Sequence, residues 1–290
     1  MRAPALIITA DDFGLHAAVN QAVAEAARAG VLTAASLMVS APAAAQAIRI
    51  AHELPRLRVG LHLVLADGRA TLPPEEIPDL VDSQGRFHDS IVADSFRLAL
   101  RPQLRRQLAA ELRAQFAAFA ASGLKLDHVN AHKHLHLHPV TLGLILQIGR
   151  EFGIRAMRVP QEPLWFAQRS GVGAATATAL LTPWILLMKS RLRGAGISCN
   201  DRIFGISCSG ALTEPIMLAI LARLPAGVSE IYMHPAVPAS QPISASMAQY
   251  RHGEEFQMLI SARVQAAVRA TGARCGGFGD LTGVQAGAGF

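Results

Sequence analysis

Cysteine is scarce in this 290-residue chain, with only Cys199, Cys208 and Cys275. None belongs to a CxxC pair. An odd, dispersed set excludes a disulfide framework and a thiolate zinc module, and it fits a reducing compartment. Aromatic residues make up only 5%, so a core must be built from Ala, Leu, Val and Ile. Of the 27 basic residues only Lys125, Lys133 and Lys189 are lysines. The net charge of +6 is scattered, and its longest run is Arg105-Arg106, which indicates an arginine-rich composition and no nucleic-acid partner. No glycine-rich phosphate loop follows the first apolar run; Asp11-Asp12-Phe13-Gly14 stands there instead, which excludes the dinucleotide-binding pattern. Leu6-Ile7-Ile8 is too short for a signal-peptide core, so a cytoplasmic location is expected. The uncharged stretch 171–188 contains Pro183 and lies at the lower length limit for a membrane span, which predicts a buried or membrane-touching helix.

What the chain does have is alternation. Ala5 to Ala10 is a short apolar run that reads as a buried strand, Leu15 to Ala29 has helical spacing, and Leu32 to Val39 reads as a second strand. Ala43 to Glu53 is a helix by the same reasoning, and Arg58 to Leu65 a third strand. Residues 66–101 form a long excursion with Pro73-Pro74, Pro78 and Gly85, the kind of loop that covers a site. Pro102 opens an amphipathic helix. Leu126 to Ala131 and Ile154 to Val159 read as strands four and five around a helix over Thr141 to Phe152. A second excursion spans 161–200. Strands over Ile203 to Ser207, Glu230 to Met233 and Arg274 to Phe278 follow, with helices over Pro215 to Leu224 and Ser261 to Ala270. Residues 282–290 are Gly/Ala-rich and read as a frayed tail. The alternation predicts one domain over 1–290, with about seven parallel strands in a distorted TIM-like (β/α) barrel.

Candidate chemistry gathers at the predicted strand ends, which meet at one face in such a fold. Asp11 and Asp12 end strand one. His62 lies in strand three, and His234 ends a later strand. His128, His132, His134, His136 and His138 fall within eleven residues, five of the chain's eleven histidines. Adjacent carboxylates repel unless a cation or shared proton compensates, and histidine is the commonest metal ligand. The plainer alternatives are an Asp N-cap before Leu15 and a histidine-rich turn without an ion. One Asp with two His would leave coordination positions open for water and substrate, the layout of a catalytic site.

These motifs resemble the YdjC-like carbohydrate deacetylases. The likeness rests on Thr9-Ala10-Asp11-Asp12-Phe13-Gly14, Gly60-Leu61-His62-Leu63, His128-Val129-Asn130-Ala131-His132-Lys133-His134-Leu135-His136 and Met233-His234-Pro235. The resemblance implies a distorted β/α barrel that hydrolyses an N-acetyl group with one divalent metal ion, Mg2+ or Zn2+, held by Asp12, His62 and His132. It implies Asp11 as general base and His234 as general acid, with His134, His136, Arg155 and Arg158 meeting the substrate. The chain departs where family members often carry a second acid, at Asn130, and by Lys133 within the histidine cluster. The stretch Arg155 to Pro163 is similar to the hopanoid-biosynthesis-associated members (HpnK). That likeness implies N-acetylglucosamine carried on a hopanoid lipid, peripheral contact at the inner face of the membrane, and an apolar lip over 164–192. An ordinary pair of packed helices or a homo-oligomer interface is the plainer reading of that segment. Two other functions suit the same residues: metal-dependent hydrolysis of a phosphoester or lactone, and a non-catalytic metal-binding protein at a membrane.

Overall fold

The computed structural model describes residues 3–88 and 101–281; the predicted tail 282–290 and part of the first excursion lie outside them. Seven strands are described: β1 (Pro4–Phe13), β2 (Ala34–Leu37), β3 (Arg58–Leu63), β4 (Val129–Ala131), β5 (Arg202–Phe204), β6 (Gly227–Met233) and β7 (Arg274–Cys275). Every pairing is parallel, in the order β4-β3-β2-β1-β6-β5. β7 takes the part of the β1 edge, at Ala5 and Leu6, that precedes the β2 pairing. The helices are α1 (Ala17–Ala29), α2 (Ala44–Glu53), α3 (Pro102–Ala121), α4 (Pro139–Glu151), α5 (Leu164–Ala167), α6 (Val172–Gly194), α7 (Glu214–Leu221), α8 (His252–Ile260), α9 (Ala262–Ala270) and α10 (Phe278–Leu281).

The sheet curls into a half-barrel and does not close, which corrects the expected TIM-like barrel. The predicted strand over 154–159 makes only single parallel bridges, Met157 to Val129 and Ala156 to Ser198. Pro160 has no N–H to continue a ladder. A side chain fills the gap: Asn200 Oδ1 accepts from Val159 N at 2.7 Å, and its Nδ2 donates to Val159 O at 2.9 Å and Arg202 O at 3.0 Å. One buried amide thus supplements the backbone bonds that residues 155–161 make to Val129, Ser198 and Ile203.

Alternation along the strands separates two faces. Leu6, Ile8 and Ala10 join the large core beneath the helices, whereas Ala5 and Ile7 join Ala34, Ala156, Phe278 and Leu281 in a small apolar plug. The same period places Thr9 and Asp11 on the plug's side. A closed barrel would fill that side with layers of branched apolar side chains. Here Thr9, Asp11, Ser36, His62, Asn130, Arg158 and Glu230 are buried instead, and hydrogen bonds link them.

Two helices differ from expectation. α8 escaped the sequence reading because Gly253, Glu254 and Glu255 open it and leave a short apolar remainder. α6 is not a buried helix: only Ile185, Met188 and Leu192 are enclosed. The described part of the first excursion is fastened by a polar stripe on α3. Glu111 accepts from Thr71 N and Leu72 N, Gln107 bonds Asp79, and Gln115 bonds both polar groups of the Val64 backbone. The i, i+4, i+8 spacing puts all three on one helical face.

Candidate active site

The end of β1 breaks from regular geometry. Its register with β2 shifts between Ala10 and Phe13, and Asp12 has φ +63°. A left-handed conformation at a non-glycine residue costs about 1–2 kcal/mol. It turns the Asp12 side chain to the same region as Asp11, although the two are neighbours in a strand. Both are 2% exposed. The alternative of an Asp N-cap falls away, because His16 caps α1 by accepting from Ala18 N.

A second bend brings in the histidines. After β4, Lys133 and His134 both have positive φ, +52° and +54°, a sharp turn that strains the backbone where several imidazoles must converge. Asp12 Oδ1 lies 3.3 Å from His62 Nε2 and 3.2 Å from His132 Nδ1. The three ligand atoms fall within 4.8 Å of one another, and all three residues are buried. His234 stands alongside, with Nε2 4.0 Å from Asp12 Oδ2.

The donor set fits a divalent metal. His62 Nδ1 meets Asn130 Oδ1 at 2.7 Å, while Asn130 Nδ2 donates to Ser36 Oγ at 2.9 Å and Asp11 Oδ1 at 3.3 Å. That amide orientation makes His62 the donor at Nδ1, so a neutral ring turns its Nε2 lone pair toward the Asp12 carboxylate. A lone pair facing a carboxylate calls for a cation between them. On the far side of the His132 ring, Nε2 lies 3.7 Å from Asp67 Oδ2. Burial alone would lower the His132 pKa, but Asp12 and Asp67 outweigh it and raise it to about 9. Burial would raise the Asp12 pKa, and His132 and His62 hold it well below the carboxylate range.

Asp11 faces a different partner. Arg158 is fully enclosed and forks between two acids: Nη2 is 3.0 Å from Asp11 Oδ1 and 2.7 Å from Glu230 Oε1, and Thr9 Oγ1 donates to Glu230 at 2.8 Å. Burial would raise the Asp11 pKa, but the Arg158 guanidinium keeps it well below the usual range. Arg158 therefore sits behind Asp11, in contact with carboxylates. Arg155 is exposed and, from the bridge of Met157 to Val129, lies level with Asp127 at the end of the strands opposite the cluster.

The other histidines divide by depth. His134 Nε2 is 3.2 Å from Tyr232 Oη, and burial lowers its pKa to about 3. His136 is fully buried, and neither ring nitrogen has a hydrogen-bond partner among the described residues; burial lowers its pKa far below the ordinary value. Burial also lowers the His234 pKa. His128 lies underneath, in a chain from Asp127 (3.0 Å to Nδ1) to Ser36 (3.1 Å from Nε2) and on to Asn130. Gly60 is required beside it, since a Cβ there would lie 2.4 Å from the His128 ring.

Several participants went unread in the sequence. Asp67 follows β3 at φ +51°, and it ion-pairs with Lys133 and hydrogen-bonds Ser246 across the mouth of the cluster. It was detectable by the rule that found Asp12, an acid just past a strand end. Glu230 was visible as a lone acid in an apolar strand. Glu255 and His252 grip the His234 backbone from a helix the sequence did not reveal.

Residues 5–270 match the sequence family described as YdjC-like protein. A carbohydrate deacetylase of Brevibacillus brevis is 40% identical over 160 residues, 55% of this chain and 59% of that protein, so the chain matches rather more than half of that relative's length. A chitooligosaccharide deacetylase of Klebsiella pneumoniae is 30% identical over 95% of this chain and 98% of its own length. Among solved structures, an Enterococcus faecalis protein provisionally described as a cellobiose-phosphate cleavage protein superposes with a TM-score of 0.76 at 25% identity. That match covers 97% of this chain and 99% of the other.

Proposed function

Because the chain belongs to the YdjC-like family, we propose that it hydrolyses the N-acetyl group of an amino sugar at a divalent metal centre formed by Asp12, His62 and His132. One observation carries the reading. Three buried ligand groups converge within 4.8 Å, and they lie beside a carboxylate and an imidazole that take no part in the triad. Relatives named carbohydrate deacetylase and chitooligosaccharide deacetylase support the reaction and the sugar class. Two imidazoles and a carboxylate suit zinc better than magnesium. A bound ion would polarise the acetyl carbonyl and lower the pKa of water.

The chain's own groups do the rest. Asp11 takes the proton of the attacking water. Its pairing with Arg158 keeps it ionised and aimed, at a cost in basicity. His234, whose pKa burial lowers, receives the proton that Asp11 has taken from water and passes it to the departing amine. Asn130 fixes the His62 tautomer and orients Asp11 through the same amide. His134 meets the sugar, and His136 is enclosed beneath it. The finer reading is that the sugar rides on a lipid, a hopanoid in the resemblance described above.

The test is acetate release from N-acetylated chito-oligosaccharides and from lipid-linked N-acetylglucosamine, using chelated protein with zinc or magnesium added back. Acetate that requires the metal is the expected result; metal-independent acetate, or none, would overturn it. The Enterococcus faecalis description favours a second reading, cleavage of another bond in a phosphorylated sugar. Phosphate or free sugar released without acetate would select it.

A further inference from the structure

We infer that α6 is a docking surface for an anionic lipid bilayer, lying in the headgroup layer with its outer face. The inference stands apart from the reaction, because it concerns a face that no catalytic group occupies. Among the described residues the exposed large apolar side chains are Leu164, Val172, Leu180, Leu181, Leu186 and Leu187. All six lie on α5 and α6. Scattered exposed apolar residues are ordinary, but a contiguous set marks an interaction site.

The geometry excludes spanning. α6 is long and apolar enough to cross a membrane by composition alone, but one side of it is committed to the protein. Ile185, Met188 and Leu192 pack into the large core. Trp184 Nε1 donates to Leu137 O at 2.8 Å, and Lys189 Nζ donates to Asp201 O at 2.8 Å. Leu137 ends the turn that carries His132, His134 and His136, so α6 is tied directly to the site. The free face runs through Val172, Thr176, Leu180, Leu187 and Arg191, spaced by four or seven residues and hence aligned. A helix whose C-terminal half is packed on the protein cannot cross a bilayer, but its exposed leucines can enter the interface.

Charge chooses the occupant. No acidic residue stands between Glu162 and Asp201, whereas Arg169, Arg191 and Arg193 lie just before and at the end of the apolar helix. All three are exposed. A second copy of the chain is the competing occupant. Antiparallel pairing of two α6 faces would set Arg169 of one copy against Arg191 and Arg193 of the other, and parallel pairing would set each against itself. Neither arrangement offers an acid to neutralise them. Anionic headgroups do, with the leucines reaching the acyl boundary.

The test uses the full chain in vesicle flotation. Phosphatidylcholine alone is compared with an equimolar mixture with phosphatidylglycerol, at low and high salt. Binding should be at least about tenfold tighter to the mixed vesicles and should weaken with salt. Leu180→Ser with Leu187→Ser should lose about tenfold or more on both vesicles. Arg191→Glu with Arg193→Glu should lose only the preference for phosphatidylglycerol. All four positions are exposed, and matching thermal melts would show the variants folded. No binding to either vesicle by the parent protein would overturn the inference. So would a dimer in sedimentation equilibrium that the serine pair dissolves while vesicle binding stays absent, which assigns the face to a second copy. Neither result depends on turnover.

Discussion

At the scale of single residues, each group in the site owes its role to one or two neighbours. Asp11 and Asp12 are adjacent, equally buried acids, yet Asp11 faces a guanidinium and Asp12 faces imidazoles. Asp11→Asn should therefore lower kcat about a hundredfold or more, the usual cost of a positioned base, while metal content measured by atomic absorption stays at the parent level. His62→Ala and His132→Ala should behave in the opposite way and emerge metal-free, since a three-ligand site cannot spare one. Full occupancy in either variant would remove that residue from the centre. Asn130→Ala deletes the acceptor at His62 Nδ1 and the donor at Asp11. Zinc titration of the apoprotein should show affinity about 10- to 100-fold weaker, as for other partners that orient a metal ligand. The residues of the candidate triad were legible in the sequence because acids and histidines at strand ends are few. Asn130 was not assigned this role, because an amide between two histidines has no meaning until its register partner is known. β3 and β4 pair His62 directly with Asn130.

At the scale of elements, polar side chains replace regular pairing at two places. α3 uses Gln107, Glu111 and Gln115 to satisfy backbone groups that the loop's own antiparallel bridges, Arg69 to Arg86 and Val81 to Phe87, do not reach. Burial raises the Glu111 pKa, so the helix carries an acid in a costly position for the sake of Thr71 N and Leu72 N. Glu111→Ala should cost about 1–3 kcal/mol by leaving those donors unsatisfied, read as a lower urea midpoint, and should speed proteolysis within 66–88. An unchanged midpoint would mean the loop is held by its apolar contacts. The sequence displayed α3 as an amphipathic helix through its leucines and phenylalanines; the polar stripe looked like ordinary solvent-facing surface. The half-barrel seam has the same character. Asn200 looked like a loop residue, yet it bonds both the N–H and the C=O of Val159.

At the scale of the whole molecule, an enclosed carboxyl that accepts from two backbone N–H groups sets a pH limit on the fold. Burial raises the Glu255 pKa from 4.5 to about 7 despite hydrogen bonds from Leu212 N and His234 N. A folded-state pKa above the unfolded value means the protonated form suits the fold. The stability that protonation brings is complete below 4.5 and is lost as pH rises through about 7. Between about pH 5 and about pH 8 the parent protein should therefore lose thermal stability relative to Glu255→Gln. The gap should change by about 3 kcal/mol at most. Gln loses one of the two backbone bonds, so the diagnostic is the change of the gap with pH and not its sign at one pH. Parallel melting curves across that range would remove Glu255 as the source.

The sequence by itself determined the alternation of strands and helices, the parallel sheet and the residue types of the site, because each follows from local periodicity or from a short motif. Closure of the sheet was beyond it, since that depends on whether the single bridges of residues 154–159 to Val129 and Ser198 extend into ladders, and Pro160 and Asn200 bear on this through contacts across the chain. Tertiary structure also decided which acid faces the imidazoles of His62 and His132. Strand alternation would part Asp11 from Asp12, and only the left-handed turn at Asp12, sustained by the packing of β1 against β2 and β6, brings both to one place. It placed Arg158 behind Asp11, not in front of a substrate. It also left the outer face of α6 bare, because only Ile185, Met188 and Leu192 of that helix are buried.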